Sequence, residues 1–161
     1  MKETMPTHLV VNFIIVKDNK FLLERKDTGK WRLPGGHLEA GETPLEAVRR
    51  EAKEELGLSI RVISEAPIIE DTELVNSLPI PINMYSEIVE KDSNFPLKHI
   101  NIGMIYALKT DEEPIPKESQ QIKWFNIDEL KSNNIMQPII ACCRRATQIE
   151  NETKFGKLHL Y

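Results

Sequence analysis

The sequence predicts an α/β or α+β domain built on a mixed β-sheet. Extended, β-branched segments lie both before and after one strongly predicted helix, and a second helical segment lies near the C-terminus. Such strands bury their apolar faces by packing against the helices. The chain has 161 residues, 40% hydrophobic and 29% charged, which suits one packed domain over residues 1–161.

The first elements are a β-hairpin and a short extended piece. Residues 8–16 are apolar and β-branched, and residues 21–24 resume the pattern after the polar residues 17–20. This pattern is typical of two strands joined by a polar turn. Residues 31–36 form a short extended stretch that ends in a Pro-Gly-Gly loop.

The best helix is predicted over Pro44–Leu56. Thr43 is a natural N-cap, Glu46 stands three residues later, and Gly57 follows the last turn. Proline at the first helical position needs no hydrogen-bond partner for its nitrogen. The later segments are predicted as strands over 59–69, 84–89, His99–Lys109 and Gln121–Phe125, loops over 70–83 and 111–119, a helical turn over 127–131 and a helix over 136–149, with residues 151–161 left open between a strand and a tail.

Charge and cysteine usage narrow the class of protein. The net charge of −4 argues against a basic face for a nucleic-acid polymer, so polyphosphate binding would need metal cations or a local basic cluster. Cys142 and Cys143 are adjacent, which places them about 100° apart on a helix and favours buried thiols in a reducing cytoplasm. No apolar run approaches the ~20 residues that cross a bilayer, so no membrane partner is expected.

Three carboxylates share one side of the predicted helix. With Glu51 at zero on a helical wheel, Glu55 lies near +40° and Glu54 near −60°, at about 100° per residue. A solvated helix face would explain them, but like charges at these spacings repel unless a cation lies between them. On the wheel Arg50 and Lys53 point off that face. Clustered carboxylate oxygens are also the ligands that Mg²⁺ prefers.

The residues before the helix complete a motif over residues 36–58. Gly35-Gly36 allows close backbone approach. From Gly36, five residues lead to Glu42 and seven more to Arg50-Glu51, followed by Ala52-Lys53-Glu54-Glu55-Leu56-Gly57-Leu58. This pattern resembles the signature of the Nudix hydrolases, with every charged and glycine position filled. Ala52 is smaller than the usual aliphatic residue there.

The resemblance implies a fold, a metal and roles for the motif residues. The family fold is an α/β/α sandwich around a mixed sheet. Mg²⁺ (or Mn²⁺) would be held by Glu51, Glu54, Glu55 and the carbonyl of Gly36. Arg50 would orient the glutamates by charge-assisted hydrogen bonds. Glu42 would brace the loop by pairing with a cationic side chain of this kind. Gly35 and Gly57 complete the structural part of the motif.

Two glutamates are candidates for the general base that deprotonates the attacking water. Glu51 lies in the helix, whereas Glu118 lies in a loop six residues before Trp124, where some family members supply a glutamate. The alternative for Glu118 is a solvated loop charge. Arg25 and Arg32 could meet substrate phosphates or simply be solvated.

Several residues are assigned structural roles. The four histidines, His8, His37, His99 and His159, show no metal-ligand spacing, so core or surface roles are expected for them. Core roles are likewise expected for Trp31 and Trp124.

The predicted function is hydrolysis of a phosphoanhydride bond in a nucleoside diphosphate derivative. Leu74 and Asn76 stand where the family's ADP-ribose and diadenosine branches carry a proline and a tyrosine, and the Ser-Gln-Pro-Trp run of its NADH branch is absent. These differences favour a (deoxy)nucleoside triphosphate, cut to a monophosphate and pyrophosphate. The alternatives are a nucleotide sugar or dinucleotide substrate, a non-catalytic nucleotide-binding module, and an interaction domain. We expect a cytoplasmic protein, and a homodimer is left open.

Overall fold

The computed structural model describes residues 5–25, 29–65, 69–91, 95–118, 120–154 and 158–161. The strands are β1 (Thr7–Lys17), β2 (Lys20–Arg25), β3 (Trp31–Arg32), β4 (Gly35–His37), β5 (Arg61–Ser64), β6 (Asn83–Val89), β7 (His99–Lys109), β8 (Gln121–Phe125) and β9 (His159–Leu160). The helices are α1 (Pro44–Leu56), α2 (Ile127–Ser132) and α3 (Gln137–Lys154).

The centre of the sheet is the parallel pair β1 and β7. Their register runs from Thr7 opposite Ile100 to Ile15 opposite Leu108. β4 pairs antiparallel with β1 on the edge opposite β7, while β5 and β6 pair antiparallel with different stretches of β7. Parallel and antiparallel pairs therefore share one sheet, which confirms the predicted mixed α/β fold.

The predicted hairpin joins the central strand β1 to β2. β1 and β2 meet through a tight turn in which Asp18 and Asn19 have φ angles of 50° and 57°. Two consecutive residues with positive φ match the right-handed twist of the flanking strands, and Asp and Asn tolerate that conformation. β2 then pairs with β3 on one side and β8 on the other.

Alternation along β1 divides the core into two layers. Val11, Phe13 and Ile15 pack on the α1 side of the sheet, in the same cluster as Val48 and Leu56 of that helix. Ile14 and Val16 face the opposite side, where α3 contributes Ile140, Cys143 and Ala146. Successive residues of a strand point to opposite faces. One central strand therefore supports a helix on each face, as in the expected α/β/α sandwich.

The structure corrects several predicted boundaries. The strand predicted over 59–69 ends at Ser64, and residues 66–68 lie outside the described residues. The last helix runs on to Lys154 instead of ending at residue 149. Within the open C-terminal segment, residues 155–157 are not described, and His159–Leu160 pairs with β5. Residues 111–118 of the predicted loop carry neither helix nor strand, and residue 119 is not described.

The two cysteines lie in α3, and both are buried. Burial raises the pKa of the Cys143 thiol to about 12, so it stays protonated at neutral pH. Among the described helices, none is both long and apolar enough to cross a membrane.

Candidate active site

The loop that enters the site requires glycine at two successive positions. Gly35 has φ of +141°, and a β-carbon there would clash with the carbonyl oxygen of Val11 and lie 2.8 Å from Cα of Asn12. A β-carbon on Gly36 would lie 2.6 Å from the carboxyl carbon of Glu51. The first glycine thus allows β4 to pair with β1, and the second allows the loop backbone to approach a helix carboxylate.

Both ends of α1 are fixed by the residues that the sequence predicts. The Thr43 hydroxyl accepts from the N–H of Glu46, and the Glu46 carboxylate accepts from the N–H of Thr43 at 2.8 Å. Gly57 ends the helix with φ of +70° and donates to the carbonyl of Lys53 at 3.0 Å. These caps set the start and end of the helix, and so the face on which its glutamates lie.

The three glutamates occupy different environments. The Glu51 side chain is 12% exposed, whereas that of Glu54 is 53% exposed. Glu55 is buried, and its Oε2 accepts the N–H of Gly35 at 3.1 Å. The glycine loop therefore touches the helix through two carboxylates, one beside Gly36 and one bonded to Gly35.

Arg50 joins this loop to the glutamates. Its Nε and Nη2 donate to the two carboxylate oxygens of Glu42 at 2.8 and 3.0 Å. Nη2 also donates to the carbonyl oxygen of His37 at 2.9 Å, and Nη1 donates to Glu51 at 2.8 Å and Glu54 at 3.4 Å. The prediction that Arg50 points away from the glutamate face was wrong. The wheel places only Cβ, and the long side chain folds back over that face.

Charge pairing and burial act in opposite directions on the two carboxylates beside Arg50. The hydrogen bonds from Arg50 hold the pKa of Glu42 below its ordinary value. Burial raises the pKa of Glu51, and the pairing with Arg50 offsets this in part, while the neighbouring Glu55 and Glu54 raise it further. Two hydrogen-bonded carboxylates in turn raise the pKa of the Arg50 guanidinium. A cation beside Glu51 would offset the negative charge of its neighbours and lower the pKa of Glu51.

The donor set fits a hard divalent cation. Carboxylate oxygens and a backbone carbonyl are ligands that Mg²⁺ and Mn²⁺ accept. The close approach of Gly36 to Glu51 leaves no room for a side chain between loop and helix. Within the described residues, the three glutamates do not bring their ligand atoms within 4.8 Å of one another. Arg50 donates to Glu51 and Glu54, and the N–H of Gly35 donates to Glu55, so each of the three carboxylates has a hydrogen-bond donor.

Comparison with known proteins decides the family. The model of the NUDIX domain matches residues 6–142. The chain belongs to the Nudix family. This match covers the central strands, α1 and the glycine loop together.

Individual relatives agree with this assignment. The chain is 25% identical to the 8-oxo-dGTP diphosphatase of Escherichia coli, over 85% of this chain and 95% of that protein. It is 53% identical over 60 residues to an ADP-ribose pyrophosphatase of Methanocaldococcus jannaschii, of which it spans 36%. The crystal structure of a NUDIX-family hydrolase from Clostridium perfringens superposes with a TM-score of 0.68 at 27% identity, covering 88% of this chain and 97% of that one. The protein is therefore a Nudix-type pyrophosphohydrolase, and hydrolases of this family generally use divalent metals.

The second candidate base lies in a loop attached to the helix end. The N–H of Ile115 donates to the carbonyl of Leu56 at 2.8 Å, and Ile115 also packs near Gly57. Glu118 follows in a turn closed by the bond from the N–H of Gln120 to the carbonyl of Lys117. Its side chain is exposed. This Nudix domain thus brings the loop to the C-terminal end of α1.

The two predicted phosphate contacts, Arg25 and Arg32, already have partners within the sheet. Arg32 donates from Nε to the buried Glu24 at 3.0 Å, with its own side chain 47% exposed. Arg25 donates to the side chain of Gln121 at 3.0 Å and lies 5.0 Å from the ring centroid of Trp31. Both guanidinium groups are therefore held in place on β2 and β3, the strands that lead into the glycine loop.

Sequence analysis missed a cluster of histidines beside the loop. His8, His37 and His99 place one ring nitrogen each within 4.8 Å of one another. Ligand spacing along the chain could not reveal them, because they come from three different strands, β1, β4 and β7. The three histidines come together because β4 and β7 both pair with β1 in the sheet.

Proposed function

We propose that this Nudix protein hydrolyses a (deoxy)nucleoside triphosphate to a monophosphate and pyrophosphate, with Mg²⁺ or Mn²⁺ as cofactor. The observation that carries this proposal is the seating of the Glu51 carboxylate against Gly36 while Arg50 bonds to Glu42, Glu51 and Glu54. A catalytically inactive Nudix module is disfavoured because every charged residue of the motif is present. The proposal takes residues 1–161 as one domain acting in the cytosol on a small nucleotide.

The roles of the motif residues follow from their contacts. We assign the cation to Glu51, Glu54, Glu55 and the carbonyl of Gly36. Arg50 orients Glu51, and its bidentate pairing with Glu42 fixes the loop, since Nη2 also reaches the carbonyl of His37. Gly35 positions Glu55 through its N–H. A bound divalent cation would neutralise the oxygens around the reacting phosphorus and favour loss of the proton from the attacking water.

The remaining chemistry is a proton transfer and a bond exchange. The water oxygen attacks one of the two phosphorus atoms of the anhydride, the bond from that phosphorus to the bridging oxygen breaks, and the other product leaves with the bonding electrons. The water proton passes to a carboxylate acting as general base. We retain Glu51 and Glu118 as the two candidates. Glu51 lies beside Gly36 in the proposed cation site, and its side chain is 12% exposed. Glu118 is exposed in a loop attached to the end of α1.

The choice of substrate rests on the relatives. The E. coli protein that this chain matches over most of its length is named an 8-oxo-dGTP diphosphatase, which supports a purine (deoxy)nucleoside triphosphate. The M. jannaschii relative is named an ADP-ribose pyrophosphatase, so a nucleoside diphosphate joined to a sugar is the second candidate. The sequence identity to the M. jannaschii protein covers only 60 residues, so it is weaker evidence about the substrate than the longer match to the E. coli protein. Arg25 and Arg32 are proposed to contact the substrate phosphates in either case.

A product analysis tests the proposal. The protein is incubated with Mg²⁺ and a panel of nucleoside triphosphates, oxidised purine triphosphates, nucleotide sugars and dinucleotides in H₂¹⁸O. We expect a monophosphate and pyrophosphate, and the labelled product identifies the phosphorus attacked. The Glu54→Gln variant serves as the inactive control. Preferential cleavage of nucleotide sugars would select the second candidate, and binding without turnover of any compound would indicate a non-catalytic module.

A further inference from the structure

Three histidines converge on the face of the sheet opposite α1. His37 lies two residues out of register from His8, because its partner on β1 is Val10. His99 precedes Ile100, the partner of Thr7, and so stands beside the start of β1. Alternate residues of neighbouring strands share one face, which explains why all three rings meet. One ligand nitrogen from each lies within 4.8 Å of the others.

The ring nitrogens of two of these histidines are set up as ligands. Nδ1 of His99, which is 1% exposed, lies 2.9 Å from the carbonyl oxygen of Leu97. A carbonyl can only accept, so Nδ1 carries a proton, and in the neutral ring Nε2 keeps its lone pair. In the part of the chain that the structure describes, Nδ1 of His8 is buried and has no hydrogen-bond partner. A buried polar atom without a partner costs free energy, and a metal ion is one partner that would satisfy it.

Phe95 covers part of the histidine cluster, in which His99 is buried and the other two rings are half-buried. The ring of Phe95 lies 4.4 Å from His8 and 4.7 Å from His37, measured between centroids. An aromatic wall of this kind lowers the local dielectric and limits solvent access to a metal. Packing of the aromatic rings alone would also explain the centroid distances, but it provides no partner for Nδ1 of His8.

We propose that His8, His37 and His99 form a second metal site, distinct from the carboxylates of α1. Three imidazole nitrogens favour a borderline ion such as Zn²⁺ over Mg²⁺, whereas the oxygen ligands of the glutamates favour the reverse. Three protein ligands leave a fourth position for a small molecule. The carbonyl of Leu97 orients His99 in the manner common to metal-binding histidines.

An ion at this site clamps the active-site loop to the central strands. His37 directly follows Gly36, and its carbonyl accepts the Arg50 guanidinium at 2.9 Å. Its ring would be bound to β1 through His8 and to β7 through His99. The ion therefore stabilises the folded chain, because it binds the assembled site and not the separated strands.

Titration of the full-length, untagged protein with Zn²⁺ and with Co²⁺, in saturating Mg²⁺, tests the proposal. We expect one equivalent to bind, the visible bands of nitrogen-ligated Co²⁺ to appear, and the melting temperature to rise. His8→Gln and His99→Gln should each weaken binding by about tenfold or more and abolish that rise. Unaltered melting without metal shows that each variant is folded, and the partly exposed His8 is the safer of the two positions.

Two controls separate this site from the others. His159→Gln alters a histidine in β9, which is separated from β1 by β7 and β5, and should leave binding unchanged. Glu54→Gln should also leave it unchanged, so that failure of the carboxylate site and failure of the histidine site are distinguishable. The proposal is overturned if Zn²⁺ binds equally well to both His8→Gln and His99→Gln, if Mg²⁺ displaces it, or if no Zn²⁺ binds.

Discussion

A β-carbon added to Gly36 would lie 2.6 Å from the carboxyl carbon of Glu51 and 3.0 Å from its Oε2. The loop and the helix thus meet where the proposed cation would need both a carbonyl and a carboxylate. The neighbouring glycine meets backbone instead of a side chain, since a β-carbon on Gly35 would lie 2.8 Å from Cα of Asn12. Glycine at position 36 is therefore needed for the position of the Glu51 carboxylate, and glycine at position 35 for the fold of the loop against β1.

Gly36→Ala should lower turnover strongly while the protein stays folded. The new methyl group displaces the Glu51 carboxylate, and a misplacement of about 1 Å in a catalytic group can cost about 10²-fold. Gly35→Ala is the matched comparison. It should lose about 3 kcal/mol of unfolding free energy, because its clash is with backbone and its φ is +141°. Turnover and urea denaturation measured on both variants check this, and equal loss of stability in the two would contradict it.

Glu54→Gln should remove most activity without unfolding the chain. Its side chain is 53% exposed, and its contact with Arg50 is a long one of 3.4 Å. Losing one ligand of the proposed cation should reduce turnover by roughly 10²-fold or more. The melting temperature without metal should not fall, since the loss of the exposed bond to Arg50 is offset by relief of the repulsion between Glu54 and Glu51.

A matched control for Glu54→Gln is Glu152→Gln in α3. Glu152 is 42% exposed and lies 3.8 Å from Arg145, a similar helix glutamate far from the motif in sequence. The turnover of the Glu152→Gln variant should equal that of the unaltered protein.

Addition of a chelator to the unaltered protein should abolish activity, and excess Mg²⁺ should restore it. Full turnover in the chelator would refute the metal assignment.

Glu118→Gln distinguishes the two candidate bases. If Glu118 takes the proton, turnover should fall by roughly 10²–10⁴-fold, the usual range for losing a general base, with little change in substrate or metal affinity. If it binds the cation, extra Mg²⁺ should partly rescue the variant. Unchanged kinetics on both counts would make Glu118 a loop charge and leave Glu51 as the base. Initial rates over a range of Mg²⁺ and substrate concentrations decide between these outcomes.

Glu42→Gln should destabilise the protein by about 1–2 kcal/mol at neutral pH, because it breaks a bidentate bond to Arg50. The pKa of Glu42 is lower in the folded chain than its ordinary value of 4.5. Its contribution is therefore full above that value and is lost as the pH falls through the folded pKa. The difference in melting temperature between variant and unaltered protein should shrink below about pH 4.5.

Glu39→Gln provides the control for Glu42. Glu39 also approaches Arg50, but at 3.9 Å and with its side chain 71% exposed. An exposed pair of this kind contributes little, so its loss should change stability by less than about 0.5 kcal/mol at any pH. Equal effects of the two substitutions would show that Arg50 does not discriminate between them.

The boundaries of α1 could be predicted from the sequence because they depend on residues next to them, whereas the end of a strand depends on its pairing partner. The start of α1 follows from Thr43, Pro44 and Glu46, and its end from Gly57, all within one turn of the boundary. The strand predicted over 59–69 was too long: it runs from Arg61 to Ser64, and neither Glu65 nor Ile69 belongs to a strand, while residues 66–68 lie outside the described residues. Hydrophobic alternation indicates that a strand is favourable, whereas pairing decides where it stops.

The sequence by itself determined the residues of the Nudix motif, the capped helix that carries them and the mixed α/β character of the domain. Each depends on spacing within a short stretch, where residue type and helical period suffice. The helical wheel placed Arg50 off the glutamate face, whereas in the tertiary structure it folds back onto Glu42 and Glu51, as the family resemblance implied. Tertiary structure alone decided that His8, His37 and His99 meet. A long side chain chooses its partners from the groups that folding brings near it. Strands remote in sequence become neighbours only when the parallel pairing of β1 with β7 sets their register.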